Sequence, residues 1–137
     1  MVTSESAVEP KRIWYPSVED IIDANITVLD VGSDKHPHRL LLRPEAFQSV
    51  IDQMIGVERK GLTYQAAWLM KELVNLHAFD GANHRTAYLV GKIFLRRNGR
   101  SLRVARLDDA YLFISRLETK TVEQIQEWIE HGESEGS

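Results

Sequence analysis

Apolar side chains recur at three- and four-residue spacing along most of this chain, which is the period of an amphipathic helix. Val18, Ile21, Ile22 and Asn25 keep that spacing after Ser17, a good N-cap, with Glu19 and Asp20 in the first turn. A first helix is expected up to about Ile26. Phe47, Val50, Ile51 and Met54 mark one apolar face of a second helix, which opens at Pro44 and runs to about Glu58. Thr63 is a candidate cap for a third. There Ala66, Ala67, Leu69, Met70, Leu73, Val74 and Leu76 are nearly continuous, which predicts a helix buried on more than one side and ending near His77. Ala87, Leu89, Val90, Ile93, Phe94 and Leu95 set a fourth helix over about residues 82–98, stopped by Gly99. Asp108 or Asp109 opens a helix through Leu117. Thr121 opens the last one, with Val122, Ile125, Trp128 and Ile129 on one face and Gly132 past its end.

Between the first two helices the pattern changes. Residues 27–30 are β-branched and apolar, Gly32-Ser33-Asp34 can turn the chain, and residues 38–42 look extended again. This predicts a small β-hairpin over about residues 27–42, with an ordinary connection as the alternative. His36 and His38, which flank Pro37, read as loop residues. Leu102-Arg103-Val104 reads as a short extended link. Residues 1–11 and 132–137 are polar and small, and are expected to be flexible tails. The expected organisation is one domain over residues 12–131, a compact all-α bundle with one small hairpin.

Composition narrows the function. With 137 residues there is enough chain for a single core. No cysteine is present, which excludes disulfides and zinc-thiolate sites and suits a reducing, cytoplasmic setting. No apolar run approaches a membrane span and no signal-peptide pattern opens the chain, so no membrane partner is expected. The net charge of −3 gives no general pull toward nucleic acid. A basic run does stand out: Lys92, Arg96, Arg97, Arg100, Arg103 and Arg106. It reads as cations that suit a helix C-terminus, with a nucleic-acid-binding bundle as the competing reading. The missing interleaved aromatics speak against that alternative.

Candidate chemistry is concentrated in residues 77–85, His-Ala-Phe-Asp-Gly-Ala-Asn-His-Arg. A polar loop entering a helix leaves backbone N–H groups free at the helix start, and these bind anions. Gly81, Ala82, Asn83, His84 and Arg85 lie at that start, so they are candidate phosphate-binding residues. His77 is the side chain suited to moving a proton near neutral pH. Phe79 is read as a core anchor for the loop. Asp80 could cap the helix or meet a metal. His77, Asp80 and His84 would share a face of a continuous helix, but Gly81 argues for a loop there.

The segment resembles the signature of the Fic/Doc (Fido) family, H-P-F-x-D/E-G-N-G/K-R. It is closest to the Doc (death-on-curing) form, H-x-F-x-D-A-N-K-R-T-A. His77, Phe79, Ala82, Asn83, Arg85, Thr86 and Ala87 match that form. Phe94-Leu95-Arg96-Arg97-Asn98-Gly99 resembles the end of the Doc motif helix, and Asp23-Ala24-Asn25-Ile26 its first helix. The resemblance spans roughly residues 15–105. It implies a Fic/Doc-like helical bundle whose hairpin is the flap, docking a target segment as an added strand. It implies a transferase that moves a phosphate or nucleotidyl (AMP) group from ATP, or another nucleoside triphosphate, to a hydroxyl of a target protein. His77 would be the base and Mg²⁺ would sit on the nucleotide phosphates. Ala82 and the short chain lean toward phosphate transfer, as in members that modify a translation elongation factor. Thr119 to Gln124 only partly matches the family's self-inhibitory pattern, which leans toward a place in a toxin–antitoxin pair or toward no inhibition at all.

Two positions depart from the family. Gly81 stands where the family has its acidic metal-holding residue, and Asp80 lies one position earlier. His84 stands where the family has Gly or Lys. Gly81 keeps open the alternative of a catalytically degenerate nucleotide- or protein-binding module.

Overall fold

Two antiparallel helices form the centre, and every other element is arranged around them. The computed structural model describes residues 12–31, 40–103 and 107–132. Its α-helices are α1 (Val18–Val31), α2 (Glu45–Ile55), α3 (Leu62–Leu76), α4 (Asn83–Arg97), α5 (Leu107–Ile114) and α6 (Val122–His131). Single 3₁₀ turns lie at Glu58–Lys60 and Leu117–Thr119. The described residues contain no strand, only an isolated antiparallel bridge between Leu40 and Phe79. The all-α expectation therefore holds.

The near-continuous apolar run of α3 is what makes it central. Ala66, Ala67, Leu69 and Met70 are fully buried, because α3 packs against α2, α4 and α6 at once. α1 covers the other side of α4. At Gly91 of α4 the side chain of Met70 from α3 lies against the backbone. A Cβ built there would fall 2.3 Å from Met70 Cε and 2.8 Å from Met70 Cγ. Gly91 is thus a helix-interior glycine held by packing against α3, despite its poor helix propensity.

Several ends follow their local chemistry. Ser17 and Asp20 cap α1 reciprocally: Ser17 Oγ accepts from the Asp20 N–H at 3.1 Å, and Asp20 Oδ2 accepts from the Ser17 N–H at 2.8 Å. Thr121 and Gln124 do the same for α6, and Gly132 ends it with φ 78°. At the far end of α4, the Asn98 amide clasps the backbone N–H and carbonyl of Trp14, and Arg97 lies 5.0 Å from the Trp14 ring centre. This holds segment 12–17 on the bundle.

Other expectations need correction. Residues 27–30 belong to α1 and are not a strand. Ile21, Ala24, Asn25 and Val28 are all buried, so the helical stripe continues past Ile26 and outweighs the β-propensity of Thr27 and Val28. Thr27 is accommodated by donating its hydroxyl to the Asp23 carbonyl one turn back. The predicted hairpin thus loses its first arm. Its residues 32–39 lie outside the described residues, and Leu40 pairs with Phe79. Of the expected tails, residues 1–11 and 133–137 also lie outside, whereas Gly132 of the second is described, buried and ends α6. Thr63 does not cap α3. That helix starts at Leu62 behind Gly61, and the Thr63 hydroxyl donates to Glu130 of α6. α2 ends at Ile55, and α5 ends at Ile114 before the 3₁₀ turn that holds Leu117.

The Gly91 contact yields a stability prediction. Gly91→Ala gains about 1 kcal/mol of helix propensity but overpacks the crossing, which costs about 1–3 kcal/mol. A net loss of about 0–2 kcal/mol is expected in urea denaturation. Part of it should be recovered in a Met70→Ala background, because the two side chains compete for one space. Strict additivity of the two substitutions would contradict the contact.

Candidate functional site

The loop joining α3 to α4 is built on two left-handed residues. His77 ends α3 with φ 48° and ψ 52°, donating its N–H to the Val74 carbonyl. Ala82 precedes α4 with φ 60° and ψ 29°. They are the only non-glycine residues with positive φ among the described residues. Histidine is tolerated in this region more readily than alanine, so the strain falls chiefly on Ala82. Gly81, beside it, is not among the glycines with positive φ.

What holds the loop in this shape is Asn83. Its Oδ1 accepts from the Phe79 N–H at 3.1 Å, and its Nδ2 donates to the Phe79 carbonyl at 2.8 Å. The Phe79 ring in turn stacks on Phe47, with centroids 5.6 Å apart, which anchors the loop in the core as expected. Asn25 of α1 donates to the Gly81 carbonyl at 3.2 Å and to Thr86 Oγ1 at 3.0 Å. On the outer side the Leu41 N–H donates to the Ala78 carbonyl at 2.7 Å, next to the Leu40–Phe79 bridge. Arg85 Nη1 donates to the Val28 carbonyl at 3.4 Å. That carbonyl lies in the last turn of α1, where the helix offers its oxygens no partner and favours a cation.

This geometry sorts the candidate residues. His77 is exposed, and its Nδ1 lies 3.5 Å from Asn83 Nδ2. The structure therefore brings the proposed base against the start of α4. If Nδ1 accepts from Asn83, the neutral ring carries its proton on Nε2. The tautomer with a bare Nε2 gives up only this long contact. Asn83 is mainly a clasp on Phe79, a role that the sequence reading had not given it. The N-cap residue of α4 is Ala82, which has no polar side chain to offer the first N–H groups of the helix. A left-handed residue followed by helical ones turns successive N–H groups toward one point, which makes a nest for an anion.

His84 is engaged elsewhere. Its Nε2 lies 2.7 Å from Glu118 Oε1 on the 3₁₀ turn before α6. Lys71 adds to the same place, donating to the Glu118 and Lys120 carbonyls. The hydrogen bond from His84 holds the Glu118 carboxyl below its usual range. Asp80 is exposed. No three of the His, Asp and Glu side chains among the described residues converge as a metal site, so His77, Asp80 and His84 do not form one.

Leu40 and Glu118 were not singled out from the sequence, and Asn25 and Thr86, which lie in the segments resembling the family, had been given no part in holding the loop. Asn25 carried a usable signal: it is an amide on the buried stripe of an amphipathic helix, and a buried amide needs a partner. Thr86 is its mate. Leu40 and Glu118 reach the loop from distant parts of the chain, and nothing local marks them.

Two predictions follow. Asn83→Ala leaves the buried Phe79 N–H without its acceptor, so a loss of about 2 kcal/mol is expected in chemical denaturation. A change within experimental error would show that the loop holds without the clasp. For Glu118, the folded pKa is below the ordinary value of 4.5. Its stabilising contribution is therefore present above pH 4.5 and is lost as pH falls through the folded value. The pair is largely exposed, so the effect on stability is small. In His84→Ala, the Glu118 carboxyl followed by ¹³C NMR should titrate closer to 4.5; an unchanged titration would remove His84 as the cause.

No family model matches this chain, and no curated protein matches it.

Proposed function

We propose that this protein is a Fic/Doc-type transferase, moving a phosphate or AMP group from a nucleoside triphosphate to a hydroxyl of a target protein. The observation that supports this reading most is the start of α4, entered through left-handed Ala82, with exposed His77 in contact range of Asn83. The first N–H groups of α4 and the Arg85 guanidinium would hold phosphate oxygens. His77 would take the proton from the target hydroxyl as its oxygen attacks phosphorus. The bond to the leaving group breaks in the same displacement. ADP departs if phosphate is transferred, and diphosphate departs if AMP is transferred.

Mg²⁺ would supply charge neutralisation on the phosphates. Asp80 is the loop's one carboxylate, and a magnesium ion that keeps several waters can be held through one carboxylate and the substrate phosphates. No carboxylate stands at Gly81. That residue favours a second reading, a relative that binds nucleotide or protein through the same loop without metal-dependent turnover.

Isothermal titration with ATP should show binding to wild type and at least tenfold weaker binding to Arg85→Ala. Equal affinity would take Arg85 out of the site. With α- and γ-labelled ATP and a cell lysate, wild type should label a target and His77→Ala should not. The label that transfers identifies the group moved. Gly81→Asp separates the two readings. Because Gly81 has no positive φ, an aspartate costs little backbone strain. Labelling rate against magnesium concentration should rise in Gly81→Asp, or appear there if wild type shows none. A folded variant that binds ATP but still labels nothing would leave the binding module as the better reading.

A further inference from the structure

The basic run in the sequence is divided by the fold. Arg97 lies over Trp14, whereas Arg100 and Arg103 flank a cavity of about 310 Å³ lined also by Thr63, Ser101, Leu102, Ile129 and Glu130. This cavity lies at the far end of α4 from the loop, about 22 Å away at the rise of a helix of that length. It is therefore separate from the site described above.

Its walls are chemically divided. Leu102 and Ile129 are buried and give an apolar floor. Arg100, Ser101 and Arg103 in the lining are exposed, and no ion pair of either arginine is found among the described residues. Their backbone is fixed, with the Arg100 N–H donating to the Leu95 carbonyl at 2.8 Å and the Arg103 N–H to the Ile129 carbonyl at 3.1 Å. Glu130 is in the same lining, and its carboxylate is held in place. Its Oε2 accepts from the Thr63 hydroxyl and from Gln126 Nε2, which also donates to Thr63 at 3.2 Å. Its Oε1 lies 3.8 Å from His131 Nε2.

We propose that this cavity binds a small zwitterion of the α-amino acid class, its carboxylate toward Arg100 and Arg103 and its ammonium toward Glu130. Size and charge both support this. A volume of about 310 Å³ is at the lower limit of ligand pockets and does not bury a nucleoside triphosphate. A plain anion would meet two guanidinium groups but also a fixed carboxylate. A plain cation would meet the reverse. A ligand with an ammonium and a carboxylate on one carbon matches both kinds of charged lining residue, and the apolar floor receives its carbon skeleton. Guanidinium forks suit a carboxylate, and the Ser101 hydroxyl adds a further donor.

The test is an ¹⁵N NMR titration of the full chain with glycine, L-serine and L-leucine. Acetate, methylammonium, N-acetylglycine and glycine amide serve as probes with one charge removed. Saturable shifts are expected for amides of residues 99–103 and 129–132 with at least one amino acid. Each single-charge probe should bind at least tenfold more weakly. Arg103→Ala and Glu130→Gln should each weaken amino-acid binding about tenfold. His77→Ala should leave it unchanged, so failure here is distinct from failure of the transferase reading. The spectra report folding of each variant, and the blocked probes on wild type give the same discrimination should Glu130→Gln disturb α6. No saturation below about 10 mM with any of the three amino acids would overturn the proposal. So would acetate binding as tightly as glycine, which would mark a simple anion patch.

Discussion

The close crossing of α3 and α4 sets what the rest of the chain can do. With no side chain at Gly91, Met70 packs directly against the α4 backbone. Two helices held this tightly must be joined by a connection that reverses direction within six residues, 77–82. Left-handed residues stand at both ends of that connection, His77 and Ala82. They turn the chain within the short span that the α3–α4 contact leaves, and the loop's chemistry is carried on that shape.

A strained loop must be overdetermined to persist. Here three independent ties hold it: Asn83 on the Phe79 backbone, Asn25 on the Gly81 carbonyl, and Leu41 on the Ala78 carbonyl. Phe79 is fixed from below by Phe47. The consequence is preorganisation. The N–H groups at the start of α4 are held in place by the core and by α1 before any ligand arrives, so an anion there need not order the backbone.

The parts of this fold that were legible in the sequence are those written in short-range pattern. α3 showed as an unbroken apolar run because it is buried on several sides, and α6 showed through Thr121, its apolar face and Gly132. The loop's position between α3 and α4 was equally visible. The end of α1 was not. Thr27 and Val28 have β-propensity, and only the contacts that bury Val28 decide for helix. Thr63 looked like a cap because caps and buried hydroxyls use the same residue, and the partner that distinguishes them, Glu130, lies 67 residues away. The His84–Glu118 pair and the Leu40–Phe79 bridge were hidden for the same reason.

Gly81 and Ala82 can be read against each other. A glycine is expected where the backbone needs a positive φ, and in this loop those positions are 77 and 82, where a histidine and an alanine stand. The glycine occupies position 81, where no positive φ calls for it. Backbone conformation therefore does not account for Gly81. What Gly81 determines is chemical: it leaves the loop with a single carboxylate, Asp80, on its exposed side. The backbone N–H groups at the start of α4 do not depend on a side chain at position 81. In the proposed reaction a metal would have to draw its oxygen ligands from Asp80, water and the substrate itself, so the proposed binding and the proposed turnover would be separable at this site.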